Sequence, residues 1–340
     1  VNLTDNTTYT WNCLAYDTTS QSAHASSLLT FSIDATTPSI SFVGPTPDSS
    51  TQTTNTSIEI NVSINESNLR EATFNWGGTN YTLYDDDLIL MFNFDNVPVL
   101  GENENYIVDM SEYGSHGSCS GLTCPVYTAS GVCSGVNNNY YYDTGPTTND
   151  TYFTIADDPR LELSDFTFAA WVYFNTSVAN EDHKIIAFGT AANGSYYHNF
   201  GVTTDDLGNE GKLRYRCMGA TGASLYSDVD FNATYGEQWV HLALVKNDSN
   251  VSFYINGALE SVRNTPSGCQ GSLDPNNNTF IGTEGYYASE GWHGYIDELF
   301  LWNKTLTSDE LNQMYMSNLY KYDTDKWALY VSQSTNSTDG

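Results

Sequence analysis

Positive charge is the scarcest property of this chain. Its 340 residues include 11 Lys and Arg against 41 Asp and Glu, which gives a formal net charge of −30, although charged residues make up only 15% of the sequence. A surface of this sign repels the phosphates of nucleic acids and anionic lipids, so we expect neither as a partner. A hard cation such as Ca²⁺ is a better match to it.

The chain also lacks common catalytic motifs and any segment able to cross a membrane. No run of about 18 apolar residues is present, so no part of the chain is predicted to insert into a bilayer. Neither an HExxH motif nor a serine nucleophile elbow occurs. The histidines are scattered, at His24, His116, His183, His198, His241 and His293. The sequence therefore predicts a protein that is not an enzyme.

Acceptor sites for N-glycosylation are abundant. Fifteen Asn-x-Ser/Thr sequons are present, at Asn2, Asn6, Asn55, Asn61, Asn65, Asn80, Asn149, Asn175, Asn193, Asn232, Asn247, Asn250, Asn277, Asn303 and Asn336. Glycosylation explains this density along the whole chain better than chance does. We therefore expect covalent N-glycans and an extracellular or cell-surface location.

Six cysteines favour an oxidising compartment, and fifteen pairings are open if all of them pair. Cys119 and Cys124 enclose the short loop CSGLTC and could close on each other. Cys217 and Cys269 fall on a strand and a loop that could be neighbours. A zinc site is disfavoured, because no paired CxxC motif or nearby histidine is present. The two remaining cysteines are Cys13 and Cys133.

Alternating apolar residues predict strands at both ends of the chain. The alternation covers residues 9–15, 29–33, 58–64, 72–83 and 327–331. In the strand at 58–64, the sequon residue Asn61 is expected on the solvent face. A Gly77-Gly78 turn is predicted to join two strands within 72–83.

These terminal strands look like two incomplete halves of an immunoglobulin-like (Ig-like) sandwich. Residues 1–34 have the pattern of its last strands, whereas 39–84 and 326–340 have the pattern of its opening strands. An open half exposes unpaired backbone groups and an apolar face, so it must be completed. Completion by the next period of a covalent array, or by a separate subunit, would give a fibre. A trimmed part of a larger surface protein is the other interpretation.

The middle of the chain has a different pattern of apolar and turn-forming residues. From about Asp85 to Leu306, short apolar segments separated by Gly, Asn, Asp and Ser predict two packed β-sheets without a helix. Ser308 is then predicted to cap a helix along DELNQMYMSNLYKY, with Leu311, Met314 and Tyr315 on one face.

Residues from about Leu88 to Met316 resemble the laminin G-like jelly rolls of the concanavalin A-like lectin and glucanase superfamily. The resemblance rests on LILMFNFDN, VDMSEYGSHGSCSG, YFTIADDPRLELSDFTFAAWVYF, GEQWVHLALVKNDSNVSFYINGALE, NNTFIGTEG and GWHGYIDELFLWNKTLTSDELNQMY. One segment, ASGVCSGVNNNYYYDTG, departs from the Gly-rich strand ending in Phe-Asp-Gly that is usual there. The flanks are similar to Ig-like repeats of very large prokaryotic, often archaeal, surface proteins, in which a jelly roll is inserted.

The resemblance implies an all-β fold: a laminin G-like jelly-roll sandwich plus a split Ig-like sandwich completed by a neighbouring unit. Residues 1–37 would be late strands that complete the preceding unit, and 38–84 the early strands of the next Ig-like domain. Residues 85–317 would form the jelly roll. Residues 318–340 would supply a returning Ig-like strand and the junction to the next unit.

The resemblance also implies candidate site residues. Jelly rolls of this type often bind a structural Ca²⁺ that ties the first strand to the last, which implies Asp95, Asp109 and Asp297 as ligands. Alternatively, Asp297 caps a turn or pairs with a basic side chain. Glycosidases of the superfamily need two neighbouring carboxylates, and no Glu-x-Asp-x-Glu pattern is present. Asp297 and Glu298 are consecutive on a predicted strand, so they should point to opposite faces.

Loop aromatics predict a possible contact with external carbohydrate. Their rings could stack on sugars, or could instead pack in the core or against the protein's own glycans. The candidates are Tyr196, Tyr197, Tyr286, Tyr287 and Trp292.

The prediction is thus a structural subunit or tandem repeat of an extracellular, heavily N-glycosylated fibre. Its main partners would be copies of itself, joined head to tail by strand completion. The alternative is a carbohydrate-binding cell-surface adhesin that uses the jelly roll as a lectin module.

Overall fold

The computed structural model describes residues 3–4, 7–129, 140–143, 151–176, 182–189, 197–218, 222–270, 273, 277–284 and 290–334. Nearly all regular structure in these ranges is β, which confirms the predicted all-β class. No helix among them is long and apolar enough to cross a membrane.

Four short strands form the N-terminal segment: β1 (Thr7–Trp11), β2 (Leu14–Tyr16), β3 (Ser22–His24) and β4 (Leu29–Ile33). They make two separate antiparallel pairs, β1 with β4 and β2 with β3. The alternation predicted one strand across residues 9–15. The structure interrupts it, because the backbone N–H of Cys13 donates to Asn12 Oδ1 at 2.7 Å instead of to a neighbouring strand.

Four further strands follow: β5 (Ser39–Val43), β6 (Ser57–Asn65), β7 (Ala72–Trp76) and β8 (Thr79–Tyr84). β5 pairs with β6, and β7 pairs with β8 through the predicted glycine turn. Gly77 and Gly78 have φ of 60° and 90°, a conformation that suits glycine and fits a tight hairpin.

The jelly roll contains the next strands: β9 (Leu88–Phe92), β10 (Tyr106–Ile107), β11 (Gly117–Ser118), β12 (Val126–Ala129), β13 (Tyr140–Asp143), β14 (Phe153–Ile155), β15 (Phe166–Phe174), β16 (Asp182–Phe188), β17 (Tyr197–Thr203), β18 (Lys212–Met218), β19 (Ala223–Asp230), β20 (Trp239–Lys246), β21 (Asn250–Ile255), β22 (Ala258–Asn264), β23 (Thr279–Ile281) and β24 (Gly294–Trp302). They form two eight-stranded sheets. One has the order β10-β11-β14-β23-β16-β17-β18-β19. The other has the order β12-β13-β24-β15-β20-β21-β22, with β9 also paired to β24.

Two helices differ from the sequence prediction. A short helix, α1 (Phe231–Tyr235), lies inside the region predicted to have none. The second, α2 (Ser308–Tyr315), is shorter than predicted. Its cap is Thr307 rather than Ser308, because Thr307 and Glu310 form a reciprocal capping box.

After α2 the chain returns to the Ig-like half through β25 (Ser317–Asp323) and β26 (Lys326–Ser334). β26 pairs with β6 over its full length, which gives a four-stranded sheet of order β25-β26-β6-β5. Trp327, Leu329 and Val331 of β26 are buried, as their alternation predicted.

Two apolar cores hold these sheets together. The larger lies between the two jelly-roll sheets. The second is continuous between the jelly roll and the Ig-like half, since Met91, Trp302 and Leu311 pack in the same cluster as Val62 and Trp327. The jelly roll is therefore fixed directly against the half-sandwich.

Two disulfides match the suggested pairs, Cys119 with Cys124 and Cys217 with Cys269. The second closes a segment 52 residues long in sequence, and both of its cysteines are buried. Chain-entropy arguments assign about 4 kcal/mol to a loop of that length and about 2 kcal/mol to the five-residue separation of the first. Cys13 is exposed and unpaired, and Cys133 lies outside the described residues.

We expect the double substitution of Cys217 and Cys269 by alanine to lower the melting temperature more than the same change at Cys119 and Cys124. Thermal unfolding by circular dichroism would compare the two variants. Equal losses would contradict the dominance of the longer loop.

Candidate functional site

The Ig-like half has an open apolar groove between its two sheets. The four-stranded sheet forms one wall and the β7–β8 hairpin forms the other, around a cavity of about 540 Å³. Apolar side chains predominate in this groove, which is lined by Pro38, Ile40, Phe42, Ile60, Val62, Ile64, Leu69, Glu71, Ala72, Thr73, Phe74, Asn75, Trp76, Leu329 and Val331.

Depth divides the groove into a covered floor and an uncovered mouth. Val62, Leu329 and Val331 on the central strands are buried. Ile40 and Phe42 on β5 are 66% and 75% exposed. Large apolar side chains clustered at such exposure mark a surface that another element covers.

The outer edge of β5 adds hydrogen-bonding capacity to this mouth. Among the described residues β5 pairs only with β6, on one side. Its other side presents backbone N–H and C=O groups in the arrangement that an added strand would use. The groove thus offers both an apolar surface and a strand edge.

The β1–β4 pair has an apolar surface of its own, which we call the donor face. In its antiparallel register Tyr9 lies opposite Phe31, and Trp11 opposite Leu29. All four side chains fall on the same face as Ile33, because alternate residues of a strand share a side.

This donor face is also uncovered. Trp11 is 52% exposed, Leu29 53% and Phe31 41%. The rings of Tyr9 and Phe31 stack 5.5 Å apart and thereby support each other. Neither apolar core of the described chain includes a residue of β1 to β5. A two-stranded sheet with this composition is not stable alone in water and needs a partner layer.

The opposite side of the β1–β4 pair is polar. It carries Thr8, Thr10, Thr30 and Ser32, and the hydroxyl groups of Thr8 and Ser32 lie 2.9 Å apart. A sheet with one polar, solvated side and one apolar side is typical of an outer layer in a β-sandwich. The pair can therefore cover a groove but would not occupy an interior position.

The implied calcium ligands do not form one carboxylate cluster. Asp109 is buried, and its Oδ1 accepts from the N–H groups of Met91 and Ser111 at 2.9 and 3.0 Å. Its Oδ2 accepts from the Ser111 hydroxyl and from the Ser115 N–H, both at 2.8 Å. These donors show that Asp109 organises the turn. No group of three or more His, Cys, Asp or Glu within the described ranges is arranged to hold a metal ion.

The structure instead assembles an acidic centre where β9 and β24 meet β25. Asn93 donates to Glu298 Oε2 at 2.6 Å, and Asn318 of β25 donates to Glu298 Oε1 at 2.7 Å. Burial raises the pKa of Glu298 to about 8. Burial first, and then the charges of Glu298 and Glu102, raise the pKa of Asp95 well above its usual value.

A local irregularity of β24 lies at this centre. Asp297 and Glu298 were expected on opposite faces, and both are buried, since the two cores cover the two sides of β24. Glu298 has φ of 49°, and the pairing register between β15 and β24 shifts at this point. Such a bulge redirects a side chain, and strict alternation cannot anticipate it. The Oδ1 atoms of Asn93 and Asn318 are buried without a hydrogen-bond partner there.

Of the predicted sugar-binding residues, the structure describes the side chain of Trp292. Trp292 is fully buried, its ring centroid lies 5.1 Å from that of Phe174, and its indole N–H donates to the carbonyl of Tyr295. Trp292 therefore packs in the core, which was the alternative to its predicted role in sugar binding. Tyr196, Tyr286 and Tyr287 lie outside the described residues, and only the backbone of Tyr197, in β17, is described.

Sequon exposure varies along the chain. Asn61 is 2% exposed, since its backbone exchanges hydrogen bonds with the Thr46 hydroxyl at 2.7 and 2.9 Å. The prediction that Asn61 lies on the solvent-exposed face of its strand is wrong. The exposed sequon residues are Asn55, Asn65, Asn80 and Asn303. The half-buried ones are Asn175, Asn232, Asn247, Asn250 and Asn277. Those outside the described residues are Asn2, Asn6, Asn149, Asn193 and Asn336.

Comparison with known protein families gives a match within the jelly roll. Residues 147–312 match the family profile Laminin_G_3, described as the concanavalin A-like lectin/glucanases superfamily. No curated protein sequence matches the chain.

Solved structures give distant similarities. The binding domain of Paraclostridial Mosquitocidal Protein 1 has 14% identity and a TM-score of 0.46, with 69% of this chain and 54% of that chain covered. A structure of botulinum neurotoxin type C, described with two ganglioside molecules, has 14% identity and a TM-score of 0.48, with 68% and 51% covered. This chain therefore spans about half the length of both toxin chains.

A third structure is covered almost completely. Domain 4 of AbnA, an extracellular arabinanase from Geobacillus stearothermophilus, has 14% identity and a TM-score of 0.48, with 66% of this chain and 97% of that chain covered. These identities and TM-scores carry no conclusion about function. The profile match over residues 147–312 agrees with the predicted superfamily.

Proposed function

We propose that the chain is a structural subunit, or one repeat, of an extracellular N-glycosylated fibre. The donor face of one unit would cover the groove of the next. The observation that supports this most directly is the pair of uncovered apolar surfaces, Trp11, Leu29 and Phe31 on one and Ile40 and Phe42 on the other. The role is mechanical and requires no catalysis.

The arrangement of the two surfaces favours a head-to-tail contact. The donor face and the groove are different parts of the same chain, so their contact is heterologous and leaves one free surface at each end. A heterologous contact that does not close a ring propagates into a filament. The partners would accordingly be copies of the chain.

Strand completion would supply the axial joint. The β1–β4 pair would lie over Ile40, Phe42 and the groove floor, next to the β7–β8 hairpin. Apolar burial and backbone hydrogen bonds at the sheet edge would then hold successive units together. Because the shared core fixes the jelly roll to the half-sandwich, force on the joint would pass into the whole unit.

The two disulfides are consistent with an oxidising, extracellular setting. N-glycans at the exposed sequons would keep adjacent fibres apart, and so would the net charge of −30 on each chain. The alternative, a carbohydrate-binding adhesin, rests on the superfamily match alone.

The test is the assembly state of the full chain over a range of concentrations and salt levels. We expect sedimentation velocity to show concentration-dependent polymers and electron microscopy to show fibres. Salt should promote assembly, since it screens the repulsion between acidic units. A monomer at every concentration, with the donor face protected from hydrogen exchange, would instead indicate that the chain fills its own groove and would overturn the proposal.

A further inference from the structure

Three aromatic rings lie side by side on the outer face of one jelly-roll sheet. Tyr173 of β15 lies opposite Trp239 of β20 on one side and opposite Tyr295 of β24 on the other. The ring centroid of Tyr173 is 6.0 Å from that of Trp239 and 5.2 Å from that of Tyr295. The centroids of Trp239 and Tyr295 are 6.0 Å apart. We call these three rings the aromatic platform.

The aromatic platform lies outside the interior of the protein. The residues that follow its members along the strands, Phe174, Val240 and Ile296, belong to the larger core. The three platform side chains point the other way and are half-buried, and neither apolar core of the described residues includes them. Large rings clustered on a partly exposed sheet face mark a surface that another group covers.

A glycosylation sequon begins at the edge of this platform. Asn175 comes directly after β15 and is half-buried, whereas Phe174 before it is buried in the core. Tyr173 and Asn175 therefore project on the same side of the sheet. Two residues of extended chain span about 7 Å, so a glycan attached to Asn175 would begin beside the ring of Tyr173.

Hydrogen bonds fix both the attachment point and the ring. The backbone N–H of Asn175 donates to the carbonyl of His293 at 2.9 Å. Glu237 Oε1 accepts from the backbone N–H of Thr176 at 2.8 Å, and Glu237 Oε2 accepts from the Tyr173 hydroxyl at 2.7 Å. Because these groups are already held in place, a sugar that contacts the platform orders little additional protein.

The chemistry of this surface matches a neutral sugar. The face of an aromatic ring carries partial negative charge and attracts the C–H groups of a pyranose, and the contact also removes apolar area from water. The carboxylate of Glu237 at the rim has further lone pairs that can accept from sugar hydroxyls. An anionic group would be repelled by that carboxylate and by the net charge of −30.

We propose that the N-glycan attached to Asn175 packs on the aromatic platform, with its first sugar on Tyr173 and the following sugars over Trp239 and Tyr295. The glycan would thereby cover this face of the sheet and stabilise the jelly roll. This inference rests on the N-glycosylation in the proposed function. It is independent of fibre assembly, because the platform and the groove share no residue.

The test uses the full chain secreted by a cell that N-glycosylates proteins, with glycopeptide mass spectrometry to establish occupancy at each sequon. We expect Asn175 to be occupied. Asn175→Gln should lower the melting temperature by about 2–4 °C, the shift that corresponds to one ordinary contact in a domain of this size. It should also increase the quenching of tryptophan fluorescence by acrylamide, because Trp239 loses its cover.

Asn303→Gln is the matched control. Asn303 is an exposed sequon residue of the same jelly roll, but Leu301, two residues before it, is buried in the core and presents no ring to a glycan. This variant should change neither the melting temperature nor the quenching. Equal effects of Asn303→Gln and Asn175→Gln, or no effect of Asn175→Gln, would overturn the inference.

Tyr173→Thr separates the platform from the glycan itself. In the Tyr173→Thr background, Asn175→Gln should cause no further loss of stability, since two changes that remove the same contact are not additive. An undiminished effect of Asn175→Gln there would overturn the inference. Loss of assembly by Tyr173→Thr in sedimentation velocity would also overturn it, and would assign the platform to a neighbouring copy.

Occupancy distinguishes failure of this inference from failure of the proposed function. Glycans at other sequons with an unoccupied Asn175 would overturn the inference alone. A chain without any N-glycan would overturn it together with the N-glycosylated character of the proposed fibre.

Discussion

Replacing Phe42 with aspartate should abolish assembly of the chain into polymers while leaving its fold unchanged. Phe42 is 75% exposed at the mouth of the groove, so the folded unit loses few contacts. In an assembled joint the same position would be covered by the donor face, and a buried carboxylate without a partner costs several kcal/mol. Sedimentation velocity and melting curves would measure the two effects separately.

A matched control exists at Leu207. It is 95% exposed on a jelly-roll loop, far in sequence from the groove, and Leu207→Asp makes the same kind of change. We expect this variant to assemble normally. If it also failed to assemble, the added negative charge and not the groove would be responsible.

The donor face allows a complementary test. Phe31→Asp should also prevent assembly, because Phe31 stacks with Tyr9 at the centre of that face. The Phe31→Asp chain keeps an intact groove, and the Phe42→Asp chain keeps an intact donor face. Mixing the two should give dimers and nothing longer, since only one productive joint can form between them. Absence of dimers in the mixture would contradict the proposed pairing of these surfaces.

Periodicity predicted the strands that have one buried face. In β6, β7 and β26 alternate apolar residues face the Ig-like core, so a period of two is visible in the sequence. The same rule misplaced Asn61, because it cannot show that the hydroxyl of Thr46, just beyond β5, bonds to the backbone of Asn61.

The end of α2 shows where tertiary contacts override local pattern. Leu311, Met314 and Leu319 have spacings that fit a longer helix, yet Leu319 lies in β25 opposite Leu329. Burial of Leu319 in the core shared with the jelly roll stabilises the strand more than helix propensity stabilises a longer helix. That choice also brings Asn318 to Glu298 and Lys321 to Trp327, so neither contact was predictable from sequence.

The acidic centre should make stability fall as pH rises. Burial raises the pKa of Glu298 to about 8 from an ordinary value of 4.5. Between these two values the folded protein keeps a proton that the unfolded chain has released, so raising the pH favours unfolding. Each pKa unit corresponds to about 1.4 kcal/mol, and the loss across this window amounts to a few kcal/mol.

Glu298→Gln should remove most of this loss. Glutamine keeps the shape and cannot ionise. Its NH2 group replaces an oxygen that accepts from Asn93 or Asn318, so that asparagine amide is expected to turn over and to accept through its Oδ1, which has no partner in the natural chain. We expect the variant to melt like the natural chain near pH 5 and at a higher temperature near pH 8. Glu104→Gln, at an exposed glutamate, is the matched control and should leave the pH profile unchanged.

The same measurement tests structural calcium at this centre, whose residues, Asp95 excepted, differ from the predicted ligands Asp95, Asp109 and Asp297. A cation at this centre would replace the proton, because it would stabilise the ionised carboxylates of Glu298 and Asp95 and could take the amide oxygens of Asn93 and Asn318 as further ligands. Added Ca²⁺ should then raise the melting temperature of the natural chain near pH 8, and a chelator should reverse the rise. Glu298→Gln should show little response. An identical melting curve for the natural chain in Ca²⁺ and in chelator would assign the centre to a buried proton and would remove calcium from the description of this fold.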